Sequence, residues 1–157
     1  MSSSHALSIL EFLTPDSVIV PLVAENKRDA IDALVNRLAE KCNLPDPEEM
    51  KRVVWEREVQ RSTGIGQGLA IPHGKSQYLK NLIMAIGIVP DGIEFDSIDQ
   101  KPVKMIALLL SPSEKIADHI QALGRISRLM NDEGFRAQAY AAQDSSELYE
   151  QIRAACS

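Results

Sequence analysis

Only 4% of the 157 residues are aromatic, and only two are cysteines. So few flat rings leave little material for a platform on which bases could stack. A formal charge of −5 also speaks against nucleic acid as a main partner. Cys42 and Cys156 lie far apart and form no C-x-x-C pair, so neither a redox couple nor a metal site follows. Two free thiols in a reducing cytosol are expected instead. No apolar run approaches the ~18 residues that a membrane span requires, and direct membrane insertion is not expected. Met1–Ala6 lacks the basic n-region and apolar core of a secretory signal; the expected location is cytoplasmic. P-loop, H-E-x-x-H and G-x-S-x-G motifs are missing too. The parts of an ATP-dependent kinase, a zinc protease and an α/β-hydrolase are therefore absent.

What is present suits a globular chain: 45% hydrophobic and 25% charged residues. The length allows one domain with a real core. A disordered tail is expected over residues 1–6, with His5 on its surface, and one domain over residues 7–157. Residues 7–13 read as a short helix stopped at Thr14-Pro15, and residues 17–22 as a β-branched strand. Apolar residues at helical spacing from Lys27 to Lys41 mark an amphipathic helix. Asp46-Pro47-Glu48-Glu49 carries the start signals of a second helix running to about Gln60. Strands are expected at 69–72, 82–89 and 103–110, the last apolar throughout as if covered on both faces. Helices at 115–130, 133–141 and 145–155 complete the pattern. The expected fold is a single layered α/β domain. Its mixed, mostly parallel sheet of about five strands carries helices on both faces.

Gly68-Leu-Ala-Ile-Pro-His-Gly-Lys75 is the most telling segment. Pro72 should stop strand pairing and Gly74 should permit a sharp turn. His73 is then presented on a stiff strand end. A neutral imidazole there is a nucleophile near pH 7, with its reaction still open. Gly64-x-Gly66-x-Gly68 is not the G-x-G-x-x-G of dinucleotide binding, because a strand rather than a helix follows it.

Two helices carry polar intruders. On the stripe set by Met50, Val53 and Val54, the next position is Arg57, which must either snorkel outward or find an anion. On the stripe of Ile116, Ile120, Leu123, Ile126 and Met130 sits His119, either a hydrogen-bonded core histidine or a functional one.

Taken together, Ser62-Thr-Gly-Ile-Gly-Gln-Gly-Leu-Ala-Ile-Pro-His-Gly-Lys75 resembles the active-site segment of a known family. It is that of the fructose/mannitol-type IIA domains of the bacterial phosphoenolpyruvate:sugar phosphotransferase system. Its Ser-Thr-Gly-Ile-Gly form is nearer the fructose and nitrogen-regulatory branches. The resemblance covers about residues 7–155. It implies that His73 accepts a phosphoryl group from an HPr-like phosphocarrier, and that His119 and Arg57 hold the phosphate. Backbone N–H groups near Gly64–Gly68 and Gly74 would add donors. No cofactor or metal is implied. Downstream partners would be a IIB domain in sugar uptake or regulatory target proteins in a nitrogen-type relay. A chain lacking IIB and IIC segments fits either, with the regulatory branch slightly favoured. A phosphorylation-switched binding module without onward transfer is the third option. An apolar docking patch is expected around His73.

Overall fold

Two clusters of buried apolar side chains, one on each face of a single sheet, organise the chain. The computed structural model describes residues 7–156; the expected tail over residues 1–6 and its His5 lie outside the described residues. Six strands form the sheet: β1 (Leu13–Ile19), β2 (Gly64–Gly66), β3 (Leu69–Ala70), β4 (His73–Ser76), β5 (Ile83–Ile93) and β6 (Val103–Pro112). The order is β1-β5-β6-β3-β2, with β4 also paired to β6. The β1–β5, β3–β6 and β4–β6 pairings are parallel, whereas β2–β3 and β5–β6 are antiparallel. The mixed α/β sheet matches the expectation.

Strand β6 explains why both faces must be covered. Its alternate residues Met105, Ala107 and Leu109 enter one cluster, and Ile106, Leu108 and Leu110 enter the other. Side chains of a strand point to opposite faces in turn, so a continuous apolar run needs a helical layer on each side. Helices α1 (Lys27–Cys42) and α2 (Pro47–Gln60) supply one layer. Helices α3 (Ile116–Asn131), α4 (Glu133–Tyr140) and α5 (Ser145–Cys156) supply the other.

Local signals set the helix starts. Asn26 Oδ1 accepts the Asp29 N–H at 2.8 Å, and Asp46 Oδ1 accepts the Glu49 N–H at 3.2 Å. Both are side-chain caps on otherwise unpaired donors. The expected helix over residues 7–13 is not formed. Only a 3-10 turn, Ile9–Glu11, precedes β1, which already begins at Leu13. Its first strand partner is Met84 of β5, and that tertiary pairing overrides the local helical pattern.

Pro90-Asp91-Gly92 lies inside β5, past the strand end expected at residue 89, where the register to β6 shifts between Ile88 and Ile93. Gly92 takes φ +79 within this irregularity.

Candidate functional site

His73 is positioned by an interrupted strand. Leu69 of β3 faces Met105 and His73 of β4 faces Leu109, so both keep one offset to β6, 105 − 69 = 109 − 73 = 36 residues. The chain therefore continues along β6 through Pro72 instead of ending there, contrary to the expected strand end. The Pro72 carbonyl still accepts the Leu109 N–H at 3.0 Å, but proline has no N–H to return, and one rung is lost. Gly74 makes no sharp turn either. A Cβ on it would sit 3.0 Å from Val54 Cγ2, 3.2 Å from Val53 Cγ1 and 3.3 Å from Met50 Cε. Glycine here lets α2 approach β4 closely.

The His73 ring bonds to its own backbone, with Nδ1 2.9 Å from the Ile71 carbonyl oxygen. A carbonyl can only accept, so Nδ1 bears the hydrogen and Nε2 keeps a free lone pair. Burial pulls the His73 pKa below the ordinary 6.5. The Ile71 carbonyl and Glu58 oppose this, and the charges of Arg57 and Lys75 assist it. The ring is neutral at pH 7.

His119 stands in the first turn of α3 and is only 5% exposed. Its Nδ1 lies 2.6 Å from Ser111 Oγ at the end of β6. Burial first, then His73 and Lys75, push its pKa down to about 4. The two rings meet edge to face, with centroids 5.2 Å apart.

Arg57 is half-buried near the end of α2, and its Nη1 donates to the Arg61 carbonyl at 2.8 Å. With His73 it lines a cleft of about 460 Å³, whose rim includes the exposed Ile65 and Ile98. The structure thus brings His73 and His119 into ring contact and Arg57 into the cleft of His73. His119 is in ring contact with His73 but is not among the residues that line this cleft.

The glycine loop is a hairpin. Strands β2 and β3 are joined by Gln67-Gly68, with φ +59 and +82, the positive pair that a two-residue type I′ turn requires. Two of its N–H groups are committed already. Gly64 N–H donates to Ser62 Oγ at 3.0 Å and Gln67 N–H to Asp99 Oδ2 at 3.0 Å. These two are not spare phosphate donors. Tyr140 Oη donates to the Gln67 carbonyl at 2.6 Å, and Arg136 Nη1 to Gln67 Oε1 at 2.7 Å, so α4 clamps the turn.

Both helical stripes differ from expectation by a rotation. In α2 the buried residues are Met50, Val54 and Glu58, so the true intruder is Glu58, with Arg57 at its edge. In α3 they are His119, Ala122, Ile126 and Met130, whereas Ile116 and Ile120 are 55% and 63% exposed. Sequence reasoning missed Glu58, Thr63 and Ser111. The i, i+4, i+8 spacing of Met50, Val54 and Glu58 was the available signal for the first. Among the described residues no three His, Cys, Asp or Glu side chains gather as a metal site would need. No helix among them is long and apolar enough to cross a membrane.

The family model for the phosphoenolpyruvate-dependent sugar phosphotransferase system, EIIA 2, matches residues 11–155. The nitrogen regulatory protein of Bradyrhizobium diazoefficiens is 31% identical over 143 residues, 91% of this chain and 93% of that protein. The fructose-specific EIIABC component of Bacillus subtilis is 31% identical over 146 residues, 93% of this chain but 23% of that protein. The chain thus spans about a quarter of the fructose relative's length. The crystal structure of nitrogen regulatory protein IIA-Ntr from Neisseria meningitidis shares the fold. Its TM-score is 0.83 at 24% identity, over 90% of this chain and 97% of that one.

Proposed function

Because the chain belongs to the EIIA 2 family of the phosphoenolpyruvate-dependent sugar phosphotransferase system, we propose that it passes a phosphoryl group through His73 in a cytoplasmic phosphorelay. The donor is an HPr-like phosphocarrier, and residues 7–157 are the functional unit. One observation carries this proposal: the bond from Nδ1 to the Ile71 carbonyl leaves Nε2 as the free nucleophile. In the proposed step the Nε2 lone pair forms a new N–P bond in line. The donor's N–P bond breaks as it forms, and its electron pair leaves with the donor imidazole.

Such a transfer asks for positioning and for charge stabilisation on the equatorial oxygens. Arg57 offers its planar fork from the same cleft. If the Ser111 hydroxyl donates to Nδ1 of His119 across their 2.6 Å contact, the remaining Nε2–H of His119 is a donor for the phosphoryl group. Exposed Ile65, Ile98, Ile116 and Ile120 supply apolar ground for docking.

Incubation with phosphocarrier, its enzyme I and phosphoenolpyruvate should give an acid-labile, alkali-stable phosphate. Labelling that persists in His73→Ala removes His73 from the role.

A regulatory, nitrogen-type relay is the first reading, supported by similarity across 93% of a nitrogen regulatory protein. In it, phosphorylation adds roughly two negative charges beside the cleft and so changes affinity for target proteins. Sugar uptake is the second, supported by the equal 31% identity to a fructose-specific component; there the phosphoryl group would go on to a IIB cysteine. Rapid transfer from His73 to a candidate IIB cysteine supports uptake. Its absence supports regulation, including a switch with no onward transfer.

A further inference from the structure

Glu58 is a buried carboxylate that phosphoryl transfer, as set out above, does not use. It is 1% exposed and accepts three hydrogen bonds: from the Thr63 N–H at 2.9 Å, from Thr63 Oγ1 at 2.6 Å, and from Lys27 Nζ at 3.1 Å. Lys27, at the start of α1, also donates to the Phe95 carbonyl at 3.2 Å. Taking an ion pair out of water carries a desolvation penalty that its attraction often fails to repay, and a packed apolar pair would serve stability as well. Stability alone is therefore a poor reason for this group.

Its connections lead to the cleft. The Thr63 residue that Glu58 grips also accepts, through its carbonyl, the Ile71 N–H at 3.1 Å. The Ile71 carbonyl in turn accepts the hydrogen on His73 Nδ1 at 2.9 Å. Glu58, Thr63, Ile71 and His73 form one chain of contacts in which every link but the first is backbone to backbone or backbone to ring. The charged and titratable groups that act on His73 are Arg57, Lys75, His119 and Glu58. Of these, Glu58 alone is an acid. It is the counterweight when the ring gains positive character during attack.

We infer that Glu58 is a positioning residue for His73: by fixing Thr63 it sets the Ile71 peptide, and so holds the ring with Nε2 free and oriented toward the cleft. This rests on the proposal that His73 is the phosphoryl acceptor, but its first readout does not.

The experiment uses the full chain labelled with 15N. Imidazole nitrogen shifts report the tautomer of His73 and its titration without any phosphotransfer. In the wild type the Nδ1–H form should dominate. In Glu58→Gln its share should fall and His73 should titrate at lower pH, because the one acidic neighbour is gone. Acceptance from the phosphocarrier should slow by roughly 10-fold or more, on the scale of losing a partner that orients a metal-ligating imidazole. Thr63→Val and Lys27→Met are the second pair, for use if Glu58→Gln does not fold. Thr63→Val removes the hydroxyl bond of the Glu58–Thr63 link and should shift the tautomer. Lys27→Met keeps both Thr63 bonds and should leave it in place. A folded Glu58→Gln, or Thr63→Val, with the wild-type tautomer, titration and rate overturns the inference. A shifted tautomer in a protein whose wild type takes no phosphate would instead overturn the phosphorelay and leave Glu58 in its positioning role.

Discussion

The rings of His73 and His119 stand 69° apart, edge to face, with 5.2 Å between their centroids. Two imidazoles this close cannot both be charged at low cost, and burial already favours the neutral form of each. The Ile71 carbonyl commits His73 to the Nδ1–H tautomer, while Ser111 Oγ, able to donate or accept, holds Nδ1 of His119.

A pH dependence of stability follows. The His119 pKa falls from 6.5 unfolded to about 4 in the fold. Between these values the unfolded chain binds a proton that the folded chain refuses. This contribution is complete above pH 6.5, fades as pH falls, and is gone below about 4. The drop is worth roughly 3 kcal/mol. Thermal melts from pH 7 to pH 4 should lose stability more steeply in the wild type than in His119→Asn. Parallel curves would rule this source out.

Arg57→Ala should fold normally, because its side chain is half-buried and its hydrogen bond among the described residues is to the Arg61 carbonyl. Phosphoryl acceptance should drop roughly 10²-fold, the scale of losing one preorganised donor. Arg57→Lys should recover only part, since an ammonium lacks the planar fork. Rapid-quench labelling measures both.

Gly74→Ala should destabilise by about 1–3 kcal/mol, the cost of overpacking, because the new methyl meets Val54, Val53 and Met50 at 3.0–3.3 Å. The melting temperature should fall by several degrees. Relief by Val54→Ala in the same chain would confirm that the pressure is on α2.

Gly124 sits within α3, where a Cβ would meet nothing within 4 Å. Gly124→Ala should therefore raise stability by about 1 kcal/mol. A loss of affinity for the phosphocarrier alongside that gain would show that the partner approaches the α3 backbone. Chemical denaturation and titration calorimetry give the two numbers.

Ser111→Ala removes the partner of a buried ring nitrogen, which costs on the order of 1–3 kcal/mol. The tautomer of His119, followed by its 15N shifts, should become mixed. A tautomer that stays fixed would mean that another group sets it.

The sequence made much of this visible where one signal acted alone. Helix α2 runs Pro47–Gln60, as its cap and proline indicate, and the apolar run of β6 was legible as a strand covered on both faces. Strand β4 was not. His73-Gly-Lys-Ser76 has no β-branched residue, and it is extended because β6 offers it a ladder, a condition that exists only after folding. The two helix stripes were each read off by part of a turn, since Arg57 and Glu58 are neighbours and only packing says which points inward. His73, His119 and Arg57 could be named, but the groups that orient them could not. A carbonyl and a hydroxyl carry no distinctive spacing.

The short reach of β2 has a consequence for the acceptor. Its pairing with β3 ends at Gly64 opposite Ala70, and Thr63 then takes the next N–H, that of Ile71. The Ile71 carbonyl is left on an open sheet edge, one residue past the end of its neighbour. An edge acceptor of this kind ordinarily invites another strand. Here the imidazole of His73 stands in for that strand and seals the edge with its own hydrogen. Any segment that zipped onto this edge would compete with the ring for the same oxygen, and in winning would change which nitrogen is free to react.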